Sequence, residues 1–193
     1  MSGERPYLAR LRDMVVGFGR LGDAGAGEAE MVETGAALLG RLVAHDDWLP
    51  DIFAEPDSDH YRQYLLHRDP GERFSVVSFV WAPGQSTPIH DHRTWGLVGV
   101  LRGAELVEDW ERAPGGAMRR IGEPRRLDPG QVDRIRPGAR EIHKVANAYS
   151  DRVSISIHVY GGDIGRIERA TYALDGTPRP FVSGHSNSAG LDI

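Results

Sequence analysis

Pro88-Ile89-His90-Asp91-His92 sets two histidines one residue apart in a stretch of strand character. Side chains two apart on a strand point to the same face, so both imidazoles address one point, while Asp91 faces the other way and reads as structural. Two nitrogens on one face are the beginning of a metal site. A third is offered by Glu141-Ile142-His143-Lys144-Val145, and His143 is the candidate that completes a facial set with His90 and His92.

Outward from this stretch the chain alternates short apolar runs with turn residues. The runs 61–66, 74–82, 95–101, 105–111, 118–121, 131–135, 142–146 and 153–160 read as strands. Turn chemistry separates them, as in Ala82-Pro83-Gly84, Asp128-Pro129-Gly130 and Arg136-Pro137-Gly138. So many short strands predict a sandwich or small barrel. Ahead of them the apolar spacing is helical. Leu8, Leu11, Val15 and Phe18 recur at three- and four-residue steps over 5–18, and Met31, Leu38, Leu39, Leu42 and Val43 do so over 28–45. The expected organisation is one domain: a helical segment over 1–58 packed on the barrel, the barrel over 59–176, and a tail over 177–193 that is either disordered or strapped across the barrel.

With 193 residues and a formal charge of −5, the chain has the size of one domain and lacks the positive surface that nucleic acid or an anionic membrane requires. A small-molecule ligand or a protein is the expected partner, with no nucleic acid and no membrane. The absence of cysteine excludes disulfides, thiolate metal ligands and a cysteine nucleophile, so nitrogen and oxygen must hold any metal. Residues 1–14 carry alternating charges where a signal peptide needs an apolar core, and no apolar run has membrane-spanning length. The expected location is the cytoplasm. Arg119, Arg120, Arg125, Arg126, Arg134, Arg136 and Arg140 are interspersed with turns and acids, and read as solvated strand ends rather than a binding surface. Oligomeric state has no signature in the sequence.

Two longer patterns frame the histidines: Gly84-x5-His90-x-His92-x3-Gly96-x6-Gly103, then Gly130-x6-Pro137-Gly138-x4-His143-x3-Asn147. Together they resemble the two motifs of the cupin superfamily, across residues 61–172. The resemblance implies an all-β cupin, a double-stranded β-helix barrel, with the N-terminal α-helical segment attached. One departure matters. Gly96 stands where the first cupin motif usually has a metal-binding glutamate, which leaves three histidines, the ligand pattern of the thiol dioxygenases related to cysteine dioxygenase.

The strand Ser154-Ile155-Ser156-Ile157-His158-Val159-Tyr160 alternates without a break. Its isoleucines and valine share one face and its polar residues the other, as on a barrel strand with a cavity on one side. Ser156-x-His158-x-Tyr160 matches the Ser-His-Tyr relay of the same family, in which the tyrosine hydroxyl reaches toward the iron. His158 can orient the Tyr160 hydroxyl, and Ser156 can select the tautomer of His158. Gln63 stands where animal cysteine dioxygenases have an arginine, so the chain resembles a bacterial, glutamine-type group that includes 3-mercaptopropionate dioxygenase. That group holds the substrate carboxylate with a late arginine, here matched to Arg169, with Arg166 as competitor. Trp95, beside the first motif, is a candidate wall of the site.

The resemblance thus implies Fe(2+) on His90, His92 and His143, with Tyr160, His158 and Ser156 as catalytic residues and Arg169 and Gln63 on the substrate. The reaction implied is addition of both atoms of O2 to a small thiol carboxylate, most readily 3-mercaptopropionate, with cysteine as the alternative. A three-histidine site holding another metal for non-thiol chemistry is one rival, against which the relay strand speaks. A non-catalytic, ligand-sensing cupin is the rival of another class, and nothing in the N-terminal helices resembles the DNA-binding segment such sensors carry.

Overall fold

The computed structural model describes residues 8–138 and 141–191. Two helices come first, α1 (Ala9–Asp23) and α2 (Glu28–Val43), followed by a single 3-10 turn at Asp51–Phe53. The strands are β1 (Arg62–Arg68), β2 (Ser75–Trp81), β3 (Ile89–His90), β4 (Gly96–Arg102), β5 (Glu105–Arg112), β6 (Met118–Leu127), β7 (Val132–Ile135), β8 (Ile142–Asn147), β9 (Ser154–Tyr160), β10 (Arg169–Tyr172) and β11 (Pro178–Phe181). They form two antiparallel sheets, ordered β1-β2-β9-β4-β7 and β11-β10-β3-β8-β5-β6. The architecture is the cupin double-stranded β-helix with two N-terminal helices. Residues 5–7 of the expected first helix, and Arg140, lie outside the described residues.

Burial explains the texture of the first sheet. Every residue of β2 and of β9 is buried, because one face of these strands meets the helices and the other looks into the barrel. Ile155, Ile157 and Val159 of β9 join Leu11, Phe18, Leu39 and Leu42 in the core beneath the helices. Between the sheets a second apolar cluster holds Val77, Phe79, Trp81, Val98, Val100 and Val145. Burying each such aliphatic side chain is worth about 1.5–3 kcal/mol. The helices therefore share a core with the barrel, and α2 presses on β4 where Gly99 leaves room: a Cβ there would sit 2.9 Å from Leu39 Cγ and 3.0 Å from Val43 Cγ1. No helix among the described residues is long and apolar enough to cross a membrane.

The expected eight strands are all present, and three elements are additional. β3 is only two residues long, and β10 and β11 lack an alternating pattern. Pro178 and Pro180 lie in β11, the outermost strand of its sheet, where a missing backbone donor is tolerated. Beyond it the chain straps across the barrel. Ser186 N–H donates to Gln63 O, Leu191 N–H donates to Leu66 O and Asn187 bridges to both sides of Leu65, covering the free edge of β1. Arginines of the basic stretch are paired with acids: Arg119 with Glu111, Arg125 with Asp109 and Asp133, Arg126 with Asp128, and Arg136 with Glu33.

Because Leu39 is fully buried between α2 and the sheet, Leu39→Ala is expected to lower unfolding stability by about 2–5 kcal/mol in denaturant titrations. It should leave metal binding by the folded protein intact, since the cavity lies on the opposite face of that sheet.

Candidate metal centre

β3 and β8 pair so that His90 lies directly opposite His143. His92 comes from the loop after β3, which corrects the expectation that both motif histidines project from one strand. The strand ends because Asp91 is tied to β10: its N–H donates to Ala170 O, and its carboxylate accepts from Ala170 N–H at 2.8 Å and Tyr172 O–H at 2.7 Å. Two residues on, Arg93 takes a left-handed φ of 56° and the chain turns away. Asp91 is thus structural, as expected, and its bonds bring His92 round to the same point as His90.

The three imidazoles are buried, and one nitrogen from each lies within 4.8 Å of the others. His90 Nδ1 donates to Pro88 O at 3.0 Å, and His92 Nδ1 donates to Glu141 O at 3.1 Å. These bonds fix the tautomer that turns the Nε2 lone pair inward, and His92 Nε2 is buried without a hydrogen-bond partner. Burial holds the rings neutral, pushing His90 down to about 4 and His92 and His143 well below their ordinary range. Neutral, convergent and with a lone pair unused, the set fits a metal ion. No carboxylate can join from residue 96, where a Cβ would lie 2.8 Å from Tyr160 Cδ1. The Tyr160 ring occupies that side and stacks on His92 with centroids 5.7 Å apart.

From β9, Ser156 Oγ hydrogen-bonds to His158 Nε2 at 2.8 Å and His158 Nδ1 to Tyr160 Oη at 2.7 Å. Phe79 stacks on the His158 ring at 4.0 Å. Burial pushes His158 down to about 3 and Tyr160 upward, so both are neutral. Beside this chain lies a cavity of about 230 Å³ whose walls include Gln63, His90, His143, His158, Tyr160 and Arg169. Arg169 is buried, and burial pulls its guanidinium below its ordinary range. Its Nη2 donates to Ser183 Oγ at 2.8 Å and its guanidinium lies 4.6 Å over the Phe181 ring, yet among the described residues no carboxylate pairs with it. Arg166 is exposed and turned to Asp163.

Trp95 does not line the cavity. Its indole packs in the core beneath the helices, stacked on Phe18, because residue 95 precedes Gly96 and points to the opposite face of β4. Phe181 and Ser183 went unread in the sequence, since both belong to a tail without periodicity, and Glu105, buried at the start of β5, looked like any polar strand residue.

A family model for cysteine dioxygenase type I matches residues 28–171, a span running from α2 through β10 that contains all three histidines and the relay. The chain belongs to the cysteine dioxygenase type I family. With its three-histidine centre it is a non-haem iron-type dioxygenase acting on thiols. Among solved structures, a conserved protein with a double-stranded β-helix domain from Klebsiella pneumoniae is similar at 18% identity over 58% of this chain and 85% of that one, with a TM-score of 0.45. A cupin superfamily protein from Desulfitobacterium hafniense is similar at 16% identity over 56% and 84%, TM-score 0.43. A Cupin 2 conserved barrel domain protein from Salinispora arenicola is similar at 22% identity over 58% and 84%, TM-score 0.42.

His143→Ala should weaken metal binding by more than about 100-fold, read as metal content after dialysis against a chelator. The buried imidazoles also set an acid limit. In the unfolded chain they take up protons near 6.5, whereas in the fold they stay neutral to about 4. Metal-free protein is therefore expected to keep full stability above about pH 6.5 and lose it progressively as the pH falls toward about 4, measured by denaturant midpoints.

Proposed function

We propose that the chain uses ferrous iron on His90, His92 and His143 to convert 3-mercaptopropionate and O2 to the sulfinate, with cysteine as the alternative substrate. Ferrous iron, if bound there, would bind the thiolate and activate dioxygen, with the sulfur as the source of the electrons that reduce dioxygen and as the final holder of both oxygen atoms. The observation that carries the reading is Arg169: a buried guanidinium with no acid partner among the described residues, in a cavity whose described walls include no aspartate or glutamate. Such a cavity offers a charged partner for a carboxylate and, among its described walls, no anion for an ammonium group. It favours a thiol acid without an α-amine over cysteine.

The residues divide the work by position. Arg169 receives the carboxylate by a two-pronged contact, held in place by Ser183 and by the Phe181 ring. Gln63 adds an amide to the same end of the cavity. Tyr160, steadied by His158 and Ser156, presents its O–H to the cavity beside His90 and His143. Phe79 and Phe181 add apolar surface to the walls, and a lower local polarity strengthens each of these polar contacts.

Oxygen uptake with 3-mercaptopropionate, cysteine and cysteamine, measured side by side on iron-loaded protein, tests the reading. The expected order places 3-mercaptopropionate first in kcat/KM. Arg169→Ala should cost about 10- to 100-fold for 3-mercaptopropionate, the worth of a charge-assisted contact, and far less for cysteamine, which has no carboxylate. Equal losses on both would sink the assignment of Arg169, and no oxygen uptake with any thiol would sink the reading as a whole.

A further inference from the structure

Glu105 is fully buried, and neither carboxyl oxygen has a hydrogen-bond partner of ordinary geometry among the described residues. An unpaired carboxylate in such a place is costly, whereas a neutral carboxyl group is tolerated. Its surroundings are specific. Ala104 N–H donates to Ser154 Oγ at 3.1 Å, which seats the start of β5 against β9. One residue on, the Glu105 carboxyl abuts Ser156 Oγ and Trp81 Nε1, and Trp81 Nε1 donates to that same Ser156 Oγ at 3.3 Å. Glu105 therefore stands at the far end of the chain that runs through Ser156 and His158 to Tyr160.

A serine hydroxyl has one proton to give and two lone pairs to fill. With Glu105 neutral, its O–H and Trp81 Nε1–H fill both lone pairs of Ser156. The Ser156 proton must then go to His158 Nε2, His158 Nδ1–H donates to Tyr160 Oη, and the Tyr160 proton is left to point into the cavity. With Glu105 ionised every donor reverses: Ser156 gives its proton to the carboxylate, His158 donates from Nε2, and Tyr160 gives its O–H to His158 Nδ1. Both directions satisfy every group of the relay, so one proton on Glu105 decides between them.

We propose that Glu105 is a positioning residue, the fourth member of the relay, which as the neutral acid directs the Tyr160 hydroxyl proton toward the cavity. The groups around it agree with the neutral form. From β9 it abuts the Ser156 hydroxyl and acts through space on Tyr160, itself neutral; from β2 it abuts the indole of Trp81; from β8 the residue opposite is the amide Asn147. On β7, Asp133 opposes its ionisation, and the cation Arg125 of β6 is committed to Asp109 and Asp133. Burial first, then Asp133, outweigh the contacts to Ser156 and Trp81 and push the Glu105 carboxyl up to about 7.

The inference rests on the reading of Tyr160 as the hydroxyl that faces the reacting groups, and the test separates the two. Infrared difference spectra of full-length wild type minus Glu105→Gln, recorded at about pH 6, should contain one carboxylic-acid C=O band that fades as the pH is raised through neutrality. In oxygen uptake, wild-type kcat should fall as the pH rises from about 6 to about 8. Glu105→Gln, whose amide still donates to Ser156, should retain about a third of kcat and lose that fall, while Glu105→Leu should lose about 30-fold with little change in KM. Placed in a Tyr160→Phe background, Glu105→Leu should cost nothing further. Absence of the acid band, or a Glu105→Gln profile that superimposes on wild type while Tyr160→Phe is impaired, overturns the role of Glu105 alone. Wild-type kcat in Tyr160→Phe overturns the reading of Tyr160 and this inference with it.

Discussion

Each wall of the site depends on a strand that must satisfy two incompatible surroundings. β9 packs Ile155, Ile157 and Val159 beneath the helices and turns Ser156, His158 and Tyr160 toward the space between the sheets. The pleat makes the separation absolute, because a one-residue slip would bury the polar set in the helical core and send the isoleucines into the cavity. Its neighbours β2 and β4 lock the register on both sides. The N-terminal helices are thus part of what holds the relay in place, since their apolar side chains share a core with the apolar side of β9.

Within the cavity the balance of charge is unusual. Five titratable side chains, His90, His92, His143, His158 and Tyr160, are buried as neutral groups, and Arg169, the one cation among the described cavity walls, is paired with no anion among the described residues. Leaving a guanidinium buried without a counter-charge is tolerable here because Phe181 covers one face of it and Ser183 Oγ accepts a hydrogen bond from its Nη2. Both residues come from the segment that then straps over β1. The C-terminal strap therefore ties the stability of a sheet edge to the orientation of the charge that faces the metal site.

Gly96 links the ligand set to the relay. The space that a side chain at 96 would need is filled by the Tyr160 ring. A carboxylate ligand at this position and a tyrosine at 160 compete for one volume, so three histidines and the tyrosine occur together as a packing requirement rather than as two independent choices.

Much of this was legible in residues that carry local patterns. Period-two alternation located β9 and its two faces, the proline-glycine turns divided the barrel strands, three- and four-residue spacing located α1 and α2, and the framed histidines named the ligands. These signals are local because the pleat and the helical turn impose them on any chain. Other features were beyond a linear reading because they exist only as juxtapositions. The loop position of His92 follows from bonds between Asp91 and β10, the remoteness of Trp95 from the face β4 turns to the helices, and the seats of Arg169, Phe181 and Ser183 from a tail with no periodicity. Sequence by itself located the barrel strands, the three histidines that cluster and the strand that carries Ser156, His158 and Tyr160; tertiary structure alone decided which charged groups are left unpaired, because burial and pairing are properties of neighbours that the chain brings together only when folded.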